Sequence, residues 1–110
     1  MSTPGGITIS AIQQDDGEYH WIEVEMGKGA CADLFAYMIP AMYDIAPEYA
    51  EEFEYGNWEI FSIHAAPKKY YRAVYDLIMQ GAGWLESVKP FKAALKTALE
   101  ADPRFTAEAA

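Results

Sequence analysis

Residues 7–26 read ITISAIQQDDGEYHWIEVEM, and this stretch decides the fold because two alternating segments flank one turn, DDGE at 15–18. In residues 19–26, alternate positions hold the apolar side chains Ile22, Val24 and Met26. The intervening positions hold Trp21, Glu23 and Glu25. Successive side chains of a β-strand point to opposite faces of the sheet. We therefore expect a β-hairpin with one buried face and one acidic, solvent-exposed face.

Helical spacing of apolar residues follows the hairpin. It predicts helices over 30–45, 47–54 and 67–80, and a last helix capped by Ser87 and stopped at residues 102–103. Pro40 lies inside the first of these, where we expect a kink or a division into two short helices. Gly81 is expected to end the 67–80 helix, as the first residue of a flexible joint.

A third strand is predicted over residues 58–65, WEIFSIHA, which are apolar on both faces. The element order is then β-β-α-β-α-α, with the 47–54 segment as an additional helical piece. Each helix has an apolar stripe to bury, which predicts an α+β fold with a three-stranded antiparallel sheet covered by helices on one face. The pairing partner of the third strand is left open. We expect one compact domain over 1–110, with a loose leader at 1–6 and a flexible tail at 106–110.

Cysteine content and hydropathy bear on the compartment. Cys31 is the single cysteine, so no internal disulfide can form. No apolar run approaches the roughly 20 residues that span a bilayer, and residues 1–6 lack the basic and apolar regions of a signal peptide. Together these features predict a cytoplasmic protein without membrane contact.

Charge is divided unevenly along the chain. Residues 1–66 hold twelve acidic side chains and one basic side chain, Lys28, whereas residues 67–110 hold five acidic and seven basic side chains. Like charges repel in the compact state, and a field of this size attracts basic surfaces and repels nucleic acid. We therefore expect a basic protein partner and no direct binding of DNA or RNA.

Motifs that would carry catalysis or hold a metal are not evident. Cys31 lies between two alanines, which favours an inert thiol, and no partner base is evident for it. His20 and His64 are isolated in the sequence, and the spacing of common metal ligands does not occur. The glycines of 27–29 do not match a phosphate-binding motif. Acidic pairs are interpreted as solvated surface charges. We predict no enzyme activity, no cofactor and no metal.

Acidic and aromatic side chains are interleaved between residues 44 and 59, and no lysine or arginine occurs between Gly29 and Pro67. If 44–52 is helical, four of its acids fall at i, i+4, i+7 and i+8, on one face. The alternative is that Pro47 starts the helix later and leaves Asp44 in the turn before it. Aromatic side chains supply contact area at interfaces, and carboxylates supply steering. The predicted partner-binding residues are Asp44, Glu48, Glu51, Glu52, Glu54, Tyr49, Tyr55 and Trp58. The competing interpretation is a solvated acidic surface over core tyrosines.

These observations predict a non-enzymatic inhibitor or immunity-type protein. It would block a basic, nucleic-acid-handling target such as a nuclease toxin, a restriction enzyme or a CRISPR effector, with carboxylates standing in for phosphates. The alternative is a structural or regulatory adaptor in a protein complex, which could join its acidic part to the basic part of a second copy. A small enzyme with a site built from scattered residues is the third hypothesis. The oligomeric state, a homodimer included, is left open.

Overall fold

The computed structural model describes residues 6–55, 60–63 and 65–105, without the side chains of 10–13, 60 and 61. Within these residues the strands are β1 (Gly6–Gln13), β2 (Tyr19–Glu25) and β3 (Ile60–Ser62), in the sheet order β2-β1-β3. β1 and β2 pair antiparallel from Gly6↔Glu25 to Gln13↔Tyr19, and Gly17 in the turn has a φ of 88°. The predicted hairpin is therefore confirmed, and Gly6 belongs to β1 rather than to a leader.

The prediction of a three-stranded antiparallel sheet is wrong, although the α+β class is right. The antiparallel part has two strands, because the short β3 pairs parallel to β1, with Ile7 opposite Phe61. Parallel strands need a long crossover connection, and the two helices between β2 and β3 bring the chain back in the same direction as β1. The two-sided apolar pattern of this segment is typical of such a strand. Trp58 and Glu59, predicted to begin it, lie outside the described residues.

Four α-helices of at least eight residues are described. They are α1 (Gly27–Ile45), α2 (Pro47–Glu54), α3 (Tyr71–Trp84) and α4 (Lys92–Ala101). Single 3-10 turns, Lys68–Tyr70 and Lys89–Phe91, lead into α3 and α4. The α2 bounds agree with the prediction. The observed order is β-β-α-α-β-α-α.

Three expectations about helix ends need correction. α1 continues through Pro40 as one helix, so it is not divided there into two short helices; it ends before Ala46, whose φ and ψ are −144° and 61°. Gly81 is buried inside α3, where a Cβ would lie 3.0 Å from the Tyr37 ring, so it allows close approach to α1 instead of ending the helix. Ser87 does not cap α4; its hydroxyl donates a hydrogen bond to the Asp33 carboxylate.

One hydrophobic core joins the sheet to the helices. The inner sheet face contributes Ile7, Ile9 and Val24, and the helices bury their apolar stripes against it. The largest fully buried side chains include Tyr71, Leu34, Met38, Met42, Ile63, Ile78, Leu95 and Leu99. Tyr71 Oη donates a hydrogen bond of 2.6 Å to the carbonyl of Leu99, which links α3 to α4. Among the described residues, no helix combines the length and the apolar character needed to cross a bilayer.

Arg104 ties the segment after α4 to the sheet. Its guanidinium donates to both carboxylate oxygens of Asp102, at 3.0 and 2.7 Å, and Asp102 is only 2% exposed. It also donates to the carbonyls of Ile9 at 2.9 Å and Ala66 at 2.7 Å, and it lies over the Tyr71 ring. This fork of donors pairs with the carbonyl of Ile9, which lies inside β1 at the register shift between Thr8 and Ser10, and with a carbonyl beyond β3.

Candidate protein-binding surface

The orientation of α2 decides which acidic side chains face solvent. Pro47 occupies the first turn of the helix, where its missing N–H costs nothing. Tyr49, Ala50 and Phe53 are buried against the core on one side of the helix. The spacing of 3.6 residues per turn then directs the remaining positions outward, and Glu48, Glu51 and Glu52 are exposed. We call these three glutamates the α2 acidic face.

Tyr49, predicted to be a partner-binding residue, is buried in the core. It is 4% exposed, its hydroxyl donates a hydrogen bond of 2.9 Å to the Ser62 carbonyl in β3, and its ring packs 6.2 Å from that of Phe53. Burial raises the pKa of its phenol to about 12. Tyr49 therefore fixes α2 against the sheet edge formed by β3 and is not available to a partner in this structure.

Glu48 is the member of the α2 acidic face that meets a cation from the second half of the chain. Lys69 Nζ lies 3.1 Å from Glu48 Oε2 and 3.3 Å from Oε1. The hydrogen bond from Lys69, with a smaller contribution from Tyr70, holds the pKa of Glu48 below its ordinary value. Both side chains are more than 60% exposed, so the pair is screened by water and salt.

Asp44 and Glu54 lie beside the α2 acidic face and not on it. Asp44 is exposed on α1, ahead of the break at Ala46, so the predicted helical face from residue 44 to residue 52 is interrupted. Glu54 is exposed at the end of α2 and accepts a hydrogen bond from the Tyr43 hydroxyl. This bond is the largest cause that raises the pKa of the Tyr43 phenol to about 12.

Exposed tyrosines border these carboxylates. Tyr55, directly after α2, is 83% exposed, and Tyr43 on α1 is 44% exposed. Trp58, the remaining predicted site residue, lies outside the described residues. Sequence reasoning left Tyr43 out of the site. Its signal was its position next to Asp44 on the polar side of α1, away from the buried Met42.

The charge division of the sequence largely persists in three dimensions. Ion pairs among the described residues include Lys69–Glu48, Lys89–Glu86, Lys96–Glu100 and Arg104–Asp102. One of these four crosses from the basic half to the acidic half, and the other three lie within the second half. Within the described part of the chain, Glu51 and Glu52 have no ion pair.

Other candidate sites contribute little chemistry. Cys31 is fully buried, and burial raises the pKa of its thiol to about 11, the opposite of an activated nucleophile. His20 is exposed on β2, and His64 lies outside the described residues. In the parts of the chain that the structure covers, no three His, Cys, Asp or Glu side chains are grouped to hold a metal ion.

Comparison of the chain with protein-family models, with curated proteins and with solved structures finds no match in any of the three.

Proposed function

We propose that the protein is a non-enzymatic inhibitor or immunity-type protein that binds a basic, nucleic-acid-handling target through the α2 acidic face. The observation that supports this proposal best is the state of Glu51 and Glu52. Both are exposed, both lie on a helix anchored by the buried Tyr49, and neither has an ion pair among the described residues. Exposed carboxylates on a rigid element suit recognition of a cationic surface.

The physical basis is competition for cations. A nuclease toxin, a restriction enzyme or a CRISPR effector must hold phosphates with lysine and arginine. Carboxylates along α2 would occupy those cations, and the net charge of −9 would speed encounter at low salt. Tyr55 would supply aromatic contact area beside the charges. The proposal includes a cytoplasmic location, where the free thiol of Cys31 stays reduced.

A structural or regulatory adaptor is the second candidate. It is favoured by the exposed aromatic side chain of Trp84, 72% exposed at the end of α3, in the half of the chain with net positive charge. The exposed Lys92 also approaches Gly83, next to Trp84. A basic and aromatic surface of this kind could receive the α2 acidic face of a second copy, head to tail.

Charge reversal on α2 tests the proposal. The variant E51K/E52K is compared with D15K/E18K, which makes the same charge change at the exposed hairpin turn. Partners captured from lysate at low and high salt are identified by mass spectrometry, and each purified nucleic-acid-handling partner is assayed for cleavage with and without the protein. Wild type and D15K/E18K are expected to inhibit cleavage, and E51K/E52K to lose inhibition.

Three outcomes contradict the proposal. Equal inhibition by both variants would remove α2 from the interface. Captured partners that do not handle nucleic acid would favour the adaptor. A mass by light scattering that doubles at low salt, and that E51K/E52K returns to the monomer value, would assign the α2 acidic face to self-association.

A further inference from the structure

A groove of about 800 Å³ lies between β2 and α4, away from α2. β2 is an edge strand of the sheet, and each of its residues from His20 to Glu25 lines the groove. Because consecutive strand residues point to opposite faces, a groove lined by all of them runs along the strand edge. The backbone N–H and C=O groups on the outer side of an edge strand are open to pairing with another chain.

The opposite wall of the groove is lined by small side chains. α4 contributes Ala93, Ala94, Thr97, Ala98 and Ala101. Ala94 and Thr97 are exposed, whereas Leu95 and Leu99 on the other side of α4 are buried. Small side chains on a helix let another backbone approach closely, so this wall leaves room for an extended segment beside β2.

Charge and aromatic character on the outer sheet face indicate what such a segment carries. Tyr19, Trp21, Glu23 and Glu25 share that face. Tyr19 and Trp21 are each about half exposed, with ring centroids 6.0 Å apart. Glu25 is exposed, and Glu23 accepts a hydrogen bond of 3.2 Å from Thr8 through one carboxylate oxygen. Carboxylates and aromatic faces both attract lysine and arginine side chains.

We propose that this groove binds an extended segment of a partner protein by strand addition to β2, with cationic residues at alternate positions and small apolar residues between them. The cationic side chains would lie beside Trp21, Glu23 and Glu25, and the apolar ones over the alanines of α4. A second copy of β2 is a poor occupant, because it would bring further glutamates next to Glu23 and Glu25. The surface differs from the α2 acidic face, since α2 is anchored to β3 at the opposite edge of the sheet.

The test uses the full chain, labelled with ¹⁵N, and an acetylated, amidated octapeptide of alternating lysine and valine. We expect NMR shift changes at the amides of β2 and at Thr97 of α4, and slower hydrogen exchange of the outward β2 amides. Two peptide isomers, N-methylated at all lysines or at all valines, keep the charge. In a paired strand, alternate N–H groups face β2, so one isomer should lose affinity about ten-fold or more and the other much less.

Variants of the protein separate the groove from general charge attraction. E25K is expected to weaken binding about three-fold, in the range of an exposed ion pair, and the matched charge change E51K on α2 to have a smaller effect. T97W, at an exposed position, should fill the groove and abolish binding with an unchanged melting temperature. If T97W melts lower, A94K serves instead, because it adds a repelling charge at another exposed position of the same wall.

Several results overturn the inference. The first two are the absence of peptide binding and an equal loss of affinity in the two N-methylated isomers. The others are an equal loss of affinity in E25K and E51K, and NMR shift changes centred on α2. Dimerisation of the protein through β2, detected as intermolecular contacts between β2 amides, would assign the edge to a second copy and likewise overturn it. Because these readouts concern β2 and α4, failure here leaves the proposed role of α2 untouched, and failure of E51K/E52K to lose inhibition leaves this groove untouched.

Discussion

Lys69 Nζ lies 3.1 Å from Glu48 Oε2 and joins residues 21 positions apart in the sequence. The ion pair connects the 3-10 turn before α3 to the first turn of α2, and of the four ion pairs named above it is the one that joins the basic half of the chain to the acidic half. It removes one of the three glutamates of the α2 acidic face from the charge offered to a partner. Any partner that uses Glu48 must compete with Lys69 for it.

The Glu48–Lys69 pair can be measured by titration. Replacing Lys69 with Met should raise the Glu48 pKa toward its ordinary value of 4.5, because the main cause that lowers it is the hydrogen bond from Lys69. Carboxyl ¹³C NMR of labelled glutamate reports this directly. The exposed Lys68, changed to Met, is the matched control and should leave the Glu48 pKa unchanged.

The Glu48–Lys69 pair also predicts how the stability of the fold changes with pH, by a small amount. A lowered Glu48 pKa contributes stability that is present above the ordinary carboxyl pKa and is lost as pH falls through the lowered value. A raised Lys69 pKa contributes stability that is present below 10.5 and is lost as pH rises through the raised value. The stability difference between wild type and K69M should therefore be largest between these limits and shrink at high salt. A salt-independent difference would contradict an exposed ion pair.

Gly81 and Gly83 of α3 should respond oppositely to alanine. Alanine is favoured over glycine inside a helix by about 1 kcal/mol, and Gly83 is exposed, so G83A should stabilise the fold. At Gly81 the new Cβ would lie 3.0 Å from Tyr37 and 3.1 Å from the fully buried Leu34, which has little room to move. We expect G81A to be less stable than G83A by about 1–3 kcal/mol. Urea unfolding of both variants measures the difference, and equal gains would show that α1 and α3 pack loosely here.

Removal of the Arg104 guanidinium should be strongly destabilising. In R104M, the carboxylate of Asp102, which is 2% exposed, loses the guanidinium donors and keeps the backbone N–H of residue 104, and the carbonyls of Ile9 and Ala66 lose their guanidinium donor. Breaking a buried ion pair on one side costs about 3–5 kcal/mol, which urea unfolding can measure. K68M removes one exposed positive charge as a control and should change stability by less than about 0.5 kcal/mol. A loss that small in R104M would mean that water replaces the guanidinium.

The spacing of apolar residues and the position of proline in the sequence were enough to predict the hairpin and α2. The hairpin followed from alternation in residues 19–26, and α2 followed from Pro47 at its start. The parallel direction of β3 could not be predicted in this way. A strand of three residues pairs in the direction that is set by the packing of α1 and α2, the two helices before it. In the sequence, Gly81 is consistent with either a helix end or a close packing contact. The position of the Tyr37 ring in the structure decides for the packing contact.

The sequence predicted the acidic character of the candidate site, but it did not predict which of the site's tyrosines are exposed. The consecutive glutamates at 51 and 52 indicated a solvent-exposed side of α2, and both side chains are exposed. Tyr49 could not be told from Tyr55 in the sequence, since each is a tyrosine next to glutamates, yet one is 4% and the other 83% exposed. The contact between Glu48 and Lys69 depends on tertiary packing across 21 positions, which no periodicity reveals.

Cys31 should be slow to react in the folded protein. Its side chain is fully buried and its thiol pKa is raised to about 11, so at pH 8 the reactive thiolate is scarce and shielded. Ellman's reagent should label it slowly under native conditions and rapidly in guanidinium. In A36C, which adds a cysteine at an exposed position of the same helix, one thiol should react at once and the second slowly. Rapid native labelling of Cys31 would require frequent opening of α1.

Tyr43 reports whether Glu54 is held by the protein or offered to a partner. The Glu54 carboxylate accepts the hydrogen bond from the Tyr43 phenol and so stabilises its protonated form, which raises the phenol pKa from 10.0 to about 12. Changing Glu54 to Gln should lower that pKa toward 10.0, measured by NMR of ¹³C-labelled tyrosine. The neighbouring change E51Q should lower it less, because Glu51 acts only through its charge. A wild-type value near 10.0 would place the phenol in water and leave Glu54 open as an additional carboxylate beside the α2 acidic face.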